Sequence, residues 1–179
     1  MYCIHFNEDK TKTVTLQFLR DELLNDLDQY GYVEGDVQRD DADHLKHGKH
    51  QTQDITQDGN IDIVTRHLDL ALAHCREVLF PYSKVPVADY TEMDDVLTNT
   101  SYYTIELNVP ADFSQTTVDL LEQLIHNLLV YYALWGWLSI TKPEASDKWL
   151  AKASEMEDQI KRSLARRCGR TRRPLRPFS

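Results

Sequence analysis

The stretch "LIHNLLVYYALWGWLSIT", residues 124–141, contains no formally charged side chain and has the length of a membrane-spanning helix. How it is read decides the fold. His126, Asn127, Gly136 and Ser139 interrupt it, acidic residues precede it, and Lys142 and Pro143 follow it; no other segment is comparable. These features describe the central helix of a helical protein rather than a membrane span. That helix is expected to begin near Asp112 or Ser114 and to run to about Ile140. Its first half is amphipathic, with Val118, Leu121, Leu124, Ile125 and Leu128 on one face. Its second half, residues 128–138, is apolar all round and needs cover on every side, from this chain or from other subunits.

Downstream, "TKPE" at 141–144 has the form of a capping box, with Thr141 as cap, Glu144 reaching back and Pro143 in the first turn. The next helix carries an apolar stripe at Ala145, Trp149, Ala153, Met156, Ile160 and Leu164. Basic residues gather at its end, where the helix dipole favours them. Gly169 then breaks it, and "RTRRPLRPFS" is too charged and proline-interrupted to fold alone.

Upstream, "YYTIELNVP", residues 102–110, alternates cleanly. Tyr103, Ile105, Leu107 and Val109 face one way; Tyr102, Thr104, Glu106 and Asn108 face the other. Such a strand needs a partner, either the alternating N-terminal "MYCIHF" or a strand of a neighbouring subunit. A helix is expected over 61–80, capped by Asn60 and ended by Pro81. Its stripe is Ile61, Val64, Leu68, Ala71, Cys75 and Leu79. Residues 81–100 read as loop. So do the almost entirely polar residues 34–58, a long exposed segment. A first helix is expected over 16–30, with Leu16, Leu19, Leu23, Leu27 and Tyr30 on one face, Thr15 as cap and Gly31 as its stop. The polar run "NEDKTK" separates it from the N-terminal strand.

The expected fold is therefore mainly α. It is a small bundle of three to four helices with a minor β element, forming one domain over residues 1–165 with a long polar loop at 34–58. A disordered basic tail follows at 166–179.

Charge is segregated along the chain. The net charge is −9, and the residues from Lys161 onward contribute +8, leaving −17 on the first 160. Arg166, Arg167, Arg170, Arg172, Arg173 and Arg176 present planar forks for phosphate or carboxylate. Pro174 and Pro177 favour an extended segment that lies in a groove, and Phe178 can anchor its end. A docking tail for nucleic acid or for an acidic protein surface is implied.

Candidate chemistry is sparse. Cys3, Cys75 and Cys168 are odd in number and widely spaced, which argues against a disulfide framework or zinc ribbon and for a reducing compartment. The N-terminus lacks a secretion-signal pattern. "DHLKHGKH" brings together His44, His47 and His50 behind Asp40, Asp41 and Asp43, residue types that suit zinc or nickel. Gly48 and the polar surroundings offer no rigid scaffold, so a solvated loop is expected there. His67 and His74 share one helix face, and His74 next to Cys75 points about 100° away from it, which does not suit a Cys–His pair. His126 is expected to be a hydrogen-bonded core or interface residue. Tyr132, Trp135, Trp137 and Trp149, with Tyr131, read as core or interface rather than a ligand cage. No glycine-rich phosphate loop, GxSxG, HExxH or paired CxxC occurs. An enzyme is not expected, nor is a metal or other cofactor.

The order of parts resembles the head–tail connector (adaptor) proteins of long-tailed bacteriophages and prophages. The resemblance covers roughly residues 60–165. It rests on Leu72, Leu79, Pro81 and Tyr82 in one helix and its turn, on Leu121, Ile125, Leu129, Tyr132 and Trp137 in the long apolar helix, and on Trp149, Ala153, Met156 and Ile160 in the last. It implies a ring-forming virion subunit, found in the virion or the bacterial host cytoplasm. Its partners would be portal and tail proteins, with its C-terminal segment docking on the portal and DNA in the passage. The His-rich loop, the pronounced 102–110 strand and the strongly basic tail depart from that pattern, and a tail-completion or other neck role fits as well. The alternative from the residues alone is a small nucleic-acid-binding protein using the arginine tail.

Overall fold

A computed structural model describes residues 2–7, 11–37, 46–80, 82–85 and 100–165. In chain order its elements are β1 (Tyr2–Phe6), β2 (Thr11–Leu19), α1 (Arg20–Asp36), α2 (Lys46–Gln53), α3 (Ile61–Val78), β3 (Tyr102–Pro110), α4 (Gln115–Thr141) and α5 (Pro143–Ala165). The three strands form one antiparallel sheet in the order β1-β2-β3.

This corrects the expected three-to-four-helix bundle with a minor β element. Among the described residues there are five helices and a full three-stranded sheet. The missed strand is β2. Val14, Leu16 and Phe18 are buried while Thr13, Thr15 and Gln17 alternate with them on the opposite face, the period-two pattern of a half-buried strand built largely from β-branched residues. Leu16 and Leu19 sit at helical spacing from Leu23 and Leu27, and that coincidence extends the apparent helix back into the strand. α1 in fact starts at Arg20, whose backbone N–H donates to Ser101 O at 3.0 Å.

β2 is the central strand. Val14 pairs with Leu107 on one side and Ile4 on the other. Thus β3 meets its partner inside the chain, and its partner is β2, not β1. Its outward edge is also partly taken: Asn108 N–H donates to Tyr82 O at 2.8 Å, and the Arg76 guanidinium donates to Thr104 O at 2.8 Å. Cross-subunit pairing through β3 is not favoured by this geometry.

The supposed loop at 34–58 holds the last turn of α1 and the helix α2, followed by a buried Ile55. Gly31 does not end α1. Instead Gly31 and Gly35, one turn apart, let the following segment press onto the helix. A Cβ at Gly31 would stand 3.1 Å from both Ile55 Cγ2 and Thr52 O; one at Gly35 would stand 2.5 Å from Gln53 Cγ. The polar sequence hid this contact because it is made by glycine, threonine and one isoleucine rather than by an apolar stripe. Gly31→Ala is expected to lower stability by about 1–3 kcal/mol, read by chemical denaturation, because the Thr52 backbone cannot step aside as a side chain can.

α4 is buried by its own chain. α5, α3, α1 and α2 all pack against it, and Leu128, Leu129, Val130, Ala133, Leu134, Trp137 and Leu138 join a core that includes Val14, Leu16, Phe18, Ile105 and Leu107 of the sheet. No helix among the described residues is long and apolar enough to cross a membrane. The α5 stripe buries Trp149, Ala153, Ile160 and Leu164. Thr141 is the last residue of α4, not the cap of α5; its hydroxyl donates back to Trp137 O at 3.2 Å. The expected disordered tail at 166–179 lies outside the described residues, as do residues 81 and 86–99 of the expected loop at 81–100.

Candidate functional site

The aromatic residues singled out from the sequence divide into two groups and an isolated core residue. Trp149 is buried at the α1–α4–α5 junction. Its ring meets Tyr30 at 5.1 Å and Tyr131 at 5.5 Å between centroids, and Lys152 Nζ sits 4.0 Å from its centroid. Its Nε1–H donates to Glu34 Oε1 at 3.2 Å. Trp137 is core. Tyr132 and Trp135 are half-buried and meet edge to face at 5.1 Å, with His74 stacked on Tyr132 at 5.1 Å.

Glu34 is the residue that the sequence reading missed. It is 5 % exposed, yet it is a carboxylate. Lys148 Nζ lies 2.6 Å from Oε1, and Lys142 Nζ donates to the Glu34 carbonyl at 3.2 Å. A buried charge stays only when paired and hydrogen-bonded. Residue 34 falls four after Tyr30 and seven after Leu27, on the buried stripe of α1, and the expected stop at Gly31 hid it.

Two carboxylate–histidine pairs bridge helices. His126 Nε2 lies 2.7 Å from Asp26 Oδ2, linking α4 to α1. It borders a cavity of about 320 Å³ also lined by Gln17, Glu22, Glu122 and Asn127. His74 Nε2 lies 2.7 Å from Glu157 Oε1, linking α3 to α5 beside a groove of about 700 Å³ lined by Glu77, Val78, Phe80 and Lys161. Partial burial pushes the Glu157 carboxyl up, but hydrogen bonds from His74 and Lys161 outweigh it and hold it below the usual range. Cys75 lies near enough to the second pair to feel the Glu157 charge. Burial pushes the Cys75 thiol up to about 12, so it stays protonated at neutral pH. Among the described residues no group of three or more His, Cys, Asp or Glu side chains converges as a metal site. Of the His-rich stretch, His47 and His50 fall on α2, and His44 lies outside the described residues.

His67 fills the α3–α4 crossing. Gly136 leaves room for it: a Cβ there would stand 2.5 Å from His67 Nδ1. Nε2 of His67 is buried without a hydrogen-bond partner among the described residues, and burial lowers its pKa below the ordinary value. A depressed histidine pKa means that the unfolded chain binds the proton more readily. Its contribution is full above about pH 6.5, the unfolded value, and is lost as pH falls toward the folded value. Thermal melts from pH 7.5 to 5.5 are expected to show a falling midpoint, with a shallower fall in His67→Gln.

Arg166, Arg167, Arg170, Arg172, Arg173, Arg176 and Phe178 lie outside the described residues. What the structure adds is their mounting: α5 is helical through Ala165, with Ile160 and Leu164 anchored in the core. Comparison of the chain with family models, with curated proteins and with solved structures finds no match.

Proposed function

We propose that the chain is a structural, non-enzymatic subunit of a tailed-phage or prophage neck. In this reading it forms a homo-oligomeric ring and docks onto a portal or tail protein through residues 166–179. It acts in the virion or, before assembly, in the host cytoplasm. The observation that supports this best is the union of charge and packing at α5. A helix locked to the core of an acidic body leads directly into six arginines with no acid among them. The body carries −17 over its first 160 residues, a charge that repels DNA and leaves a carboxylate-rich protein groove as the better target for the forks.

The test is co-purification with a portal protein encoded beside it, followed by negative-stain microscopy. Rings that bind the portal, and that no longer bind it when the chain is cut after Ala165, support the proposal. A full-length protein that neither assembles nor binds defeats it. The six arginines also favour a second reading, nucleic-acid binding. It requires a gel shift that disappears on the same truncation and weakens steeply with salt.

A further inference from the structure

We propose that β1 is the contact through which two copies of the free protein pair, antiparallel and about a two-fold axis at Ile4. The hydrogen-bond phase of the sheet carries the argument. Asn7 N–H donates to Thr11 O, and Asn108 N–H turns away from β2 to Tyr82 O. Together with the register of β1 on β2, these place the backbone groups of Cys3 and His5 toward β2. Those of Tyr2, Ile4 and Phe6 then point out of the sheet. Among the described residues nothing pairs with that edge, whereas the opposite edge of the sheet is partly closed by Tyr82 and Arg76. An open edge is a template for a further strand, and a second copy of β1 supplies one in a contact that closes on itself.

The strand is complementary to itself in that arrangement. Ile4 meets Ile4 of the second copy, and Tyr2 meets Phe6 on either side, all three pairs exchanging backbone hydrogen bonds and lying on the face that the sheet turns to its helices. Phe6 is 71 % exposed in the single chain and gains cover. The strand "YCIHF" has no formal charge in a chain of net charge −9, so two acidic bodies approach where repulsion is least. The flanking charges are opposite. The Tyr2 hydroxyl donates to Asp119 Oδ1 at 2.7 Å, and Lys12 Nζ lies 5.2 Å from the Phe6 centroid. Pairing Tyr2 with the second copy's Phe6 brings Asp119 beside the other Lys12. The result is a continuous six-stranded sheet with all helices on one side. This contact is closed. It neither builds nor requires a ring, so it goes beyond the neck reading and stands or falls separately.

Cross-linking tests it. Cys3 of one copy faces His5 of the other in a non-hydrogen-bonded pair, a spacing that suits a disulfide. In a Cys168→Ser background, His5→Cys is expected to give a covalent dimer on oxidation with copper–phenanthroline. His5→Cys with Cys3→Ser is expected to remain monomeric on a non-reducing gel. Sedimentation of the uncross-linked protein is expected to show a dimer that grows with concentration and is lost in Ile4→Pro. That proline removes an N–H facing outward and leaves the β1–β2 ladder intact. Equal cross-linking with and without Cys3, no cross-linking in the Cys3/His5→Cys protein, or an Ile4→Pro protein that still dimerises would each overturn the proposal. If Ile4→Pro fails to fold by circular dichroism, the cysteine pair decides alone.

Discussion

Trp149→Ala is expected to lower the unfolding free energy by about 3–5 kcal/mol, with a melting midpoint on the order of 10 °C lower. The indole is 2 % exposed and stands where three helices meet, under Tyr30 and Tyr131 and against Lys152. Removing it leaves a cavity that rigid helices cannot close, and it also strips Glu34 of its Nε1–H donor. Glu34→Ala is expected to cost about 2–3 kcal/mol by itself. The loss strands the buried indole N–H, while Lys148, half in water, can turn to solvent. The double variant is expected to lose less than the two single losses combined, since both remove the same hydrogen bond. Urea titrations of the four proteins check this, and strict additivity would show that Glu34 and Trp149 act independently.

Thr15→Pro is expected to be at least as damaging, with a loss of about 3 kcal/mol or more and, in a chain of ordinary stability, failure to fold. Thr15 sits in the middle of the central strand, with its N–H directed at β1 opposite Cys3. Proline there deletes a ladder bond and forces the backbone out of the sheet. This variant separates two readings of the same residues. If residues 16–30 were one helix capped by Thr15, proline at 15 would cost only the cap, about 1 kcal/mol. A soluble, fully folded Thr15→Pro protein would argue against β2.

The contrast shows where local pattern sufficed. α3, the first half of α4, α5 and β3 were legible because each displays an unbroken stripe: Val64, Leu68, Ala71 and Cys75 in one, Tyr103, Ile105, Leu107 and Val109 in another, and all these residues are buried. β2 was hidden because residues 16, 19, 23 and 27 satisfy a helical period across a boundary that only the pairing with β1 and β3 reveals. α2 was hidden because its anchor is a close approach to Gly31 and Gly35, and glycine reads as a helix stop when its neighbours in space are unknown.

By itself the sequence determined that this is a chain with one apolar central helix, amphipathic partners to cover it, and a sharp division between an acidic body and an arginine-rich end. Those properties are sums over local residues and do not depend on what touches what. The tertiary structure decided which strand is central, which edge of the sheet is unpaired among the described residues, and that a carboxylate is buried against Trp149. It also brought Asp26 to His126 and Glu157 to His74 across 100 and 83 residues of sequence. Each of these is a long-range pairing, and its energy comes from desolvated contacts that exist only after the helices and the sheet have closed on a common core.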